Sequence, residues 1–243
     1  MANNPRKGII NLINNGYSLK NVPLNFQDDK EIIETSVLKD SENLRYVKNI
    51  KNLPNNILYT AFRKGDSINL YKKEILHKEQ LEDPILGLIY LYHLSRENKH
   101  SLYLELPEAL QNSYEFNKNA IEVDSKFYSF LPLTYKCNLE ICKKMVRLNC
   151  LNFNKLLDDV KKNFYVRVEA IANNYAIYSS LLGNYQTSDK NILRAVIEKT
   201  GSLEKIPSYE RSVDLIIYAL KIDKDNIKYV SENLRNKILE AFS

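Results

Sequence analysis

Two stretches that begin 25 residues apart share one order of polar and apolar positions: NLEICKKMVRLNCLNFNKL (138–156) and NFYVRVEAIANNYAIYSSL (163–181). Each begins with asparagine, a residue that commonly caps a helix N-terminus. Apolar or small residues follow three, seven and eight positions later, which places them on one face of a helix. A polar residue then interrupts the pattern, and two more apolar residues follow with a spacing of three. The pattern predicts a helix of about ten residues, a tight turn and a second helix of about seven.

The pattern recurs when the chain is aligned on the position seven after the cap, which we call the anchor. The anchors are Ser36, Ala61, Ala120, Met145, Ala170, Ala195 and Ala219. The steps between them are 25, 59, 25, 25, 25 and 24 residues, and the long step leaves room for an enlarged repeat with Tyr92 near its anchor. Six of the seven cap positions hold Asp, Asn or Ser, the exception being Pro54. A small anchor allows close approach of helices, so neighbouring repeats are expected to stack.

These repeats predict an all-α fold, a solenoid-like array of about seven or eight 25-residue helix-turn-helix repeats. The expected segments are an N-terminal cap (1–26), two first repeats (27–72), an enlarged or irregular helical segment (73–112), and five regular repeats with a C-terminal capping helix (113–243). Two alternatives stay open. One is a globular all-α bundle with coincidental spacing, and the other is a set of repeats collapsed into a compact shape.

Composition places the chain among globular proteins and argues against several classes. The 243 residues are 44% hydrophobic and carry a formal net charge of +5, which excludes a mainly disordered chain. The most apolar segment, Pro84–Leu94, has eleven residues, about half of what a membrane span needs. No secretory signal is apparent at the N-terminus. The three cysteines are crowded together in the sequence, which favours reduced thiols over disulfides. We expect a cytoplasmic protein, or one delivered into a host cell by a route that leaves no trace in the sequence.

The sequence offers few candidates for catalytic residues. Of the three histidines, His93 lies in the apolar segment, where a hydrogen-bonded structural role is expected, and His100 lies seven residues later, a spacing that could bring both to one helix face. The cysteines Cys137, Cys142 and Cys150 lack the paired spacing of zinc sites. Glycine-rich phosphate loops and nucleophile-elbow motifs are absent from the sequence. We therefore predict no enzyme activity, no cofactor and no metal; an enzyme with its site around 72–112, dependent on His93, is the least favoured alternative.

Two surfaces are candidates for binding. Tyr165, Tyr175 and Tyr185 are assigned to cap or turn positions, and tyrosine is suited to anchoring protein interfaces. They predict a protein partner. The alternative is a nucleic-acid partner bound by a basic stripe on the first helices, interrupted by the solvent-facing acids Glu122 and Glu169. The stripe consists of Arg63, Lys143, Lys144, Arg147, Arg194 and Lys221.

The stretches FQDDKEIIETSVLKDSENLRYVK (26–48) and YERSVDLIIYALKIDKDNIKYVSENLRNK (209–237) resemble a short tandem helical repeat, the domain-of-unknown-function family 4116. Both have a polar start, an apolar run with a small residue at its centre, an Asp, and a short tail that ends in Tyr-Val. The stretches 138–156, 163–181 and 189–206 carry the same pattern more loosely, and the resemblance covers about two thirds of the chain. It implies a non-catalytic repeat scaffold, an effector or inhibitor that acts on a partner protein, and it brings no catalytic residues with it.

Overall fold

The computed structural model describes residues 5–65, 67–72, 75–174 and 190–242. Throughout these residues the chain forms α-helices and 3₁₀-helices joined by short turns, without a strand. The prediction of an all-α protein is confirmed. The chain divides into two compact units, Met1–Pro132 and Leu133–Ser243, which are described separately.

The α-helices of the described residues, numbered in chain order, are α1 (Pro5–Asn14), α2 (Lys30–Lys39), α3 (Asn55–Lys64), α4 (Ser67–Leu70), α5 (Lys78–Leu81), α6 (Pro84–Arg96), α7 (Glu108–Gln111), α8 (Tyr114–Val123), α9 (Leu133–Lys136), α10 (Leu139–Leu148), α11 (Asp158–Lys161), α12 (Phe164–Asn173), α13 (Lys190–Thr200), α14 (Val213–Ile222) and α15 (Glu232–Phe242). The 3₁₀-helices are Leu19–Asn21, Leu24–Phe26, Ser41–Tyr46, Ile50–Asn52, His100–Glu105, Ser125–Phe130, Cys150–Lys155, Leu203–Lys205, Ser208–Glu210 and Lys224–Tyr229.

The first helix of a repeat has the predicted length and start. Helices α2, α8, α10, α12 and α14 are each ten residues long, and the side chain of the residue before each accepts a hydrogen bond from a backbone N–H of the first turn. In α10, for example, Asn138 Oδ1 accepts from the amides of Glu140 and Ile141 at 3.0 and 3.1 Å. These bonds satisfy donors that have no partner within the helix. The predicted caps of these helices are confirmed.

The second helix of a repeat is not the predicted α-helix of about seven residues. After α10 the chain forms the six-residue 3₁₀-helix Cys150–Lys155, which begins where the extended residue Asn149 accepts from the amide of Leu151. The buried residues Phe153, in this helix, and Leu156, directly after it, are three apart, a spacing that fits one turn of a 3₁₀-helix as well as one turn of an α-helix. The short helix α11 then follows, an element the sequence did not predict.

The anchors of the predicted repeats are buried, with one shift of register. Ala170 and Ala219 have no exposed surface, whereas Ala195 is only half-buried and Asn191, four residues earlier, is exposed. In α13 the buried stripe is instead formed by Ile192, Val196 and Ile197. The alignment on Ala195 was therefore wrong by one residue, because apolar side chains, not the small one, define the packed face of this helix.

The predicted irregular segment contains a longer version of the same elements. Helix α6 has thirteen residues, is capped by Asp83, and precedes the six-residue 3₁₀-helix His100–Glu105 and the four-residue α7. Seven residues after the cap lies Tyr90, which is buried, whereas Tyr92 is 52% exposed. Tyr90, and not Tyr92, thus occupies the anchor position.

Within each unit, consecutive longer helices pack on one another. The pairs in contact are α1 with α2, α2 with α3, α3 with α6 and α6 with α8 in the first unit, and α10 with α12, α12 with α13 and α13 with α14 in the second. Helices α10 and α12 run parallel. Lys143 of α10 contacts Tyr165 of α12, and Arg147, four residues further along α10, contacts Glu169, four residues further along α12.

A buried asparagine seven residues after the anchor ties each of three repeats together. The amides of Asn43, Asn152 and Asn226 each donate to the carbonyl of their own anchor at 3.0 to 3.1 Å. The side-chain oxygen of Asn43 also accepts from the amide of Leu19 in the N-terminal segment, and that of Asn226 from the amide of Leu203 in the preceding repeat. One side chain thereby fixes the turn after its own helix and the position of its neighbour.

Candidate binding surfaces

The starts of helices α10 and α12 form an exposed apolar surface in the second unit. Leu139 and Phe164, the first residues of the two helices, are each 37% exposed, and Tyr165 is 62% exposed. The rings of Phe164 and Tyr165 meet edge to face at 5.3 Å, and Lys143 Nζ lies 5.5 Å from the centre of the Tyr165 ring. We call Leu139, Lys143, Phe164 and Tyr165 the aromatic edge.

The aromatic edge follows from capping. Asn163 is a single extended residue between α11 and α12, and its side chain accepts from the amides of Tyr165 and Val166, so α12 begins at Phe164. Val166 faces the core, which leaves the two preceding aromatic side chains outside it. Tyr165 therefore lies in the first turn of a helix, and not at the cap or turn position predicted for it. Tyr175 and Tyr185, predicted with it, lie outside the described residues.

Several cations of the predicted basic stripe are engaged by neighbouring side chains. Lys143 Nζ pairs with Glu140 Oε1 at 2.8 Å; this hydrogen bond and charge hold the pKa of the Glu140 carboxyl below its ordinary value. The guanidinium of Arg194 lies 5.7 Å from the centre of the Tyr218 ring. Lys144, on the same helix as Lys143, is half-buried, and Lys221 lines a groove of apolar side chains from α14, the adjoining 3₁₀-helix and α15.

Glu169, expected on the solvent face, is buried instead, with 4% of its surface exposed. Arg147 donates to it twice, at 2.9 and 3.1 Å, and Lys199 donates at 2.5 Å, so one carboxylate joins α10, α12 and α13. Burial opposes ionisation of Glu169, but the hydrogen bonds and charges of the two cations outweigh it and leave its pKa below the ordinary value. The stripe is therefore neutralised at Arg147 by a residue predicted to lie outside the core.

Arg63, the stripe residue of the first unit, lines a cavity of about 460 Å³ between α3 and α6. Among the described residues, the others that line it come from one face of α6: Ile85, Leu88, Ile89, Tyr92 and His93. Sequence reasoning missed this cavity, because the spacing of these residues along α6 is also that of an ordinary core stripe.

The histidines differ from their expected environments. His93 Nε2 is buried without a hydrogen-bond partner in the part of the chain that the structure describes. His100 lies beyond the end of α6, in the 3₁₀-helix, and its Nε2 is 2.8 Å from Asp124 Oδ2. The two rings are thus not on one helix face, because the helix ends between them.

No group of three or more His, Cys, Asp or Glu side chains in residues 5–65, 67–72, 75–174 and 190–242 is arranged to hold a metal ion. Within the same residues, no helix combines the length and the apolar character needed to cross a lipid bilayer.

Comparison with protein-family models, with curated proteins and with solved structures gives no match for this chain. The resemblance to the domain-of-unknown-function family 4116 therefore stays a prediction. The binding surfaces must be interpreted from their own geometry.

Proposed function

We propose that the protein is a non-catalytic binding module that recognises a partner protein through the aromatic edge. The observation that carries this proposal is the exposure of Phe164 and Tyr165 side by side on a helix start. Large aromatic side chains tend to dominate the binding energy of protein interfaces, since they bury much area at little cost in conformational entropy. Lys143 beside the ring is already paired with Glu140, so the aromatic side chains and not its charge carry the proposed recognition.

The scaffold in this proposal is a solenoid-like array of about seven or eight 25-residue repeats. Three features support it: the recurring order of long α-helix, 3₁₀-helix and short α-helix, the contacts between consecutive longer helices within each unit, and the asparagines that bond to the preceding segment. The proposed role is that of an effector or inhibitor of its partner, in the cytoplasm or inside a host cell, as the resemblance to family 4116 implies.

A pull-down with a matched pair of variants tests the proposal. The wild-type protein, a Phe164→Ala/Tyr165→Ala variant and a Tyr209→Ala control are immobilised and exposed to nuclease-treated lysate. Tyr209 is 68% exposed in the same unit but outside the aromatic edge. We expect one protein to be retained by wild type and control and lost from the double variant. Equal retention by all three would show that the aromatic edge is not the interface.

The basic stripe gives the competing function, binding of nucleic acid. Its free cations are fewer than the sequence suggests, because Lys143 and Arg147 are paired with carboxylates. Binding that disappears after nuclease treatment, and that weakens steeply with added salt, would favour the stripe over the aromatic edge.

A further inference from the structure

The turn that ends α1 contains the only asparagine–glycine step of the sequence. Of the six glycines, Gly16 alone follows an asparagine, Asn15. Glycine has no side chain to shield its backbone nitrogen, so this nitrogen can reach the side-chain amide carbon of the asparagine before it. Asn15 and Gly16 are both exposed, and the side chain of Asn15 forms no hydrogen bond with a described residue. The step therefore has the sequence and the exposure for an intramolecular reaction of the amide.

The fold closes this turn with two backbone hydrogen bonds. The amide of Gly16 donates to the carbonyl of Ile13 at 2.9 Å, and the amide of Tyr17 donates to the carbonyl of Leu12 at 3.0 Å. Gly16 has a φ of 95°, the left-handed conformation that commonly ends a helix. Its nitrogen becomes reactive only when the bond to Ile13 opens, and helix ends open at little cost in free energy. The fold therefore slows the reaction but does not block it.

We propose that Asn15 is a site of spontaneous deamidation, with water as the only co-reactant. The nitrogen of Gly16 loses its proton and attacks Cγ of Asn15, the Cγ–Nδ2 bond breaks, and the released nitrogen takes up that proton and leaves as ammonia. Water then opens the five-membered succinimide ring that has formed. Opening at Cγ gives aspartate. Opening at the main-chain carbonyl gives isoaspartate, in which the backbone runs through the side chain and is one atom longer.

The turn is held on both sides, so the product changes how α1 is attached to α2. Ile13 and Leu19 lie in one buried cluster, and the amide of Leu19 donates to Asn43 Oδ1 at 2.9 Å. An extra backbone atom between these two points disrupts the hydrogen bonds of Gly16 and Tyr17. The new carboxylate also lies at the C-terminal, negative end of the helix dipole. Both changes loosen α1 from α2. The site is in the first unit and does not involve the aromatic edge.

Peptide mapping of the folded protein tests the reaction. The protein and an Asn15→Gln variant are incubated at mildly alkaline pH and digested with trypsin, which releases residues 8–20 as one peptide. Glutamine keeps the amide but must close a larger ring, which forms more slowly. We expect the wild-type peptide to gain one mass unit and to be methylated by an isoaspartyl methyltransferase, whereas the variant peptide, which keeps Asn11 and Asn14, stays unchanged. Equal gain in both peptides, or gain in the unfolded wild-type chain alone, would overturn the proposal.

Hydrogen exchange read by mass spectrometry tests the consequence for α1. The isoaspartate fraction, separated by chromatography, is compared with unmodified protein and with an Asn15→Asp variant. Loss of the two closing hydrogen bonds should accelerate exchange of the α1 amides in the isoaspartate fraction by about tenfold. Asn15→Asp adds the charge but not the extra backbone atom, and should accelerate exchange by about threefold or less. Equal exchange in the isoaspartate fraction and the unmodified protein would refute the loosening of α1.

Discussion

Glu169 and its two cations, Arg147 and Lys199, form an ion triad. We predict that removing both cations destabilises the protein more than neutralising the carboxylate does. Only 5% of the Glu169 side chain is exposed, against 51% for Arg147 and 39% for Lys199. The carboxylate therefore depends on its partners, whereas each cation can return to water. The perturbations are the double variant Arg147→Met/Lys199→Met, which keeps most of the aliphatic stems, and the single variant Glu169→Gln.

The magnitudes follow from this difference in burial. A buried charge left without its partners costs about 3–5 kcal/mol, and partial access of water at the half-exposed cation positions favours the lower end, about 3 kcal/mol. Glu169→Gln removes the buried charge together with the charge-assisted hydrogen bonds, so we expect a loss of about 1 kcal/mol. Urea denaturation followed by circular dichroism measures both, and the double variant should lower the midpoint by about 1 M or more.

The pH dependence has opposite signs in the wild-type protein and in the double variant. In wild type the pKa of Glu169 is lowered, so its contribution is fully present above the unfolded pKa, about 4.3, and is lost as pH falls through the folded value. In the double variant, burial without cations raises that pKa, so the cost is present at pH 7 and fades towards pH 4. A double variant no less stable than Glu169→Gln at pH 7, or one whose deficit is the same at pH 4 and pH 7, would refute the reasoning.

Two further predictions concern packing. Asn226→Ala leaves the buried amide of Leu203 without its partner and removes one of the two donors to the carbonyl of Ala219, which keeps the amide of Asp223. It should cost about 2–3 kcal/mol in urea denaturation, whereas Asn233→Ala, at an exposed position, should cost less than about 0.5 kcal/mol. In α6, a Cβ added at Gly87 would lie 2.8 Å from side-chain atoms of its neighbours. Gly87→Ala should therefore lower the midpoint of urea denaturation despite the better helix propensity of alanine. Gly8→Ala, with open space around the added Cβ, should raise the free energy of unfolding by about 0.5–1 kcal/mol.

The helix starts and packed faces could be predicted because they depend on residues that are close together in the sequence. An asparagine such as Asn138 caps the helix that immediately follows it, and Ile141, Met145 and Val146 share a face whatever they pack against. The sequence could not show whether the second helix is an α-helix or a 3₁₀-helix, since an apolar spacing of three fits one turn of either. The buried asparagines could have been found: Asp or Asn followed three residues later by Asn recurs as DSEN, NCLN and DKDN, at 40–43, 149–152 and 223–226.

The candidate sites were harder to predict, because they depend on which residues distant in sequence meet. Glu169 looks solvent-facing from its own helix, and only partners 22 residues before it and 30 after it explain its burial. His93 illustrates the same limit: its neighbours in sequence are apolar, which favours a satisfied core histidine, yet the ring has no partner at Nε2 and lines a cavity with Arg63, 30 residues away. Which buried polar atoms stay unpaired becomes visible only when the fold brings distant residues together.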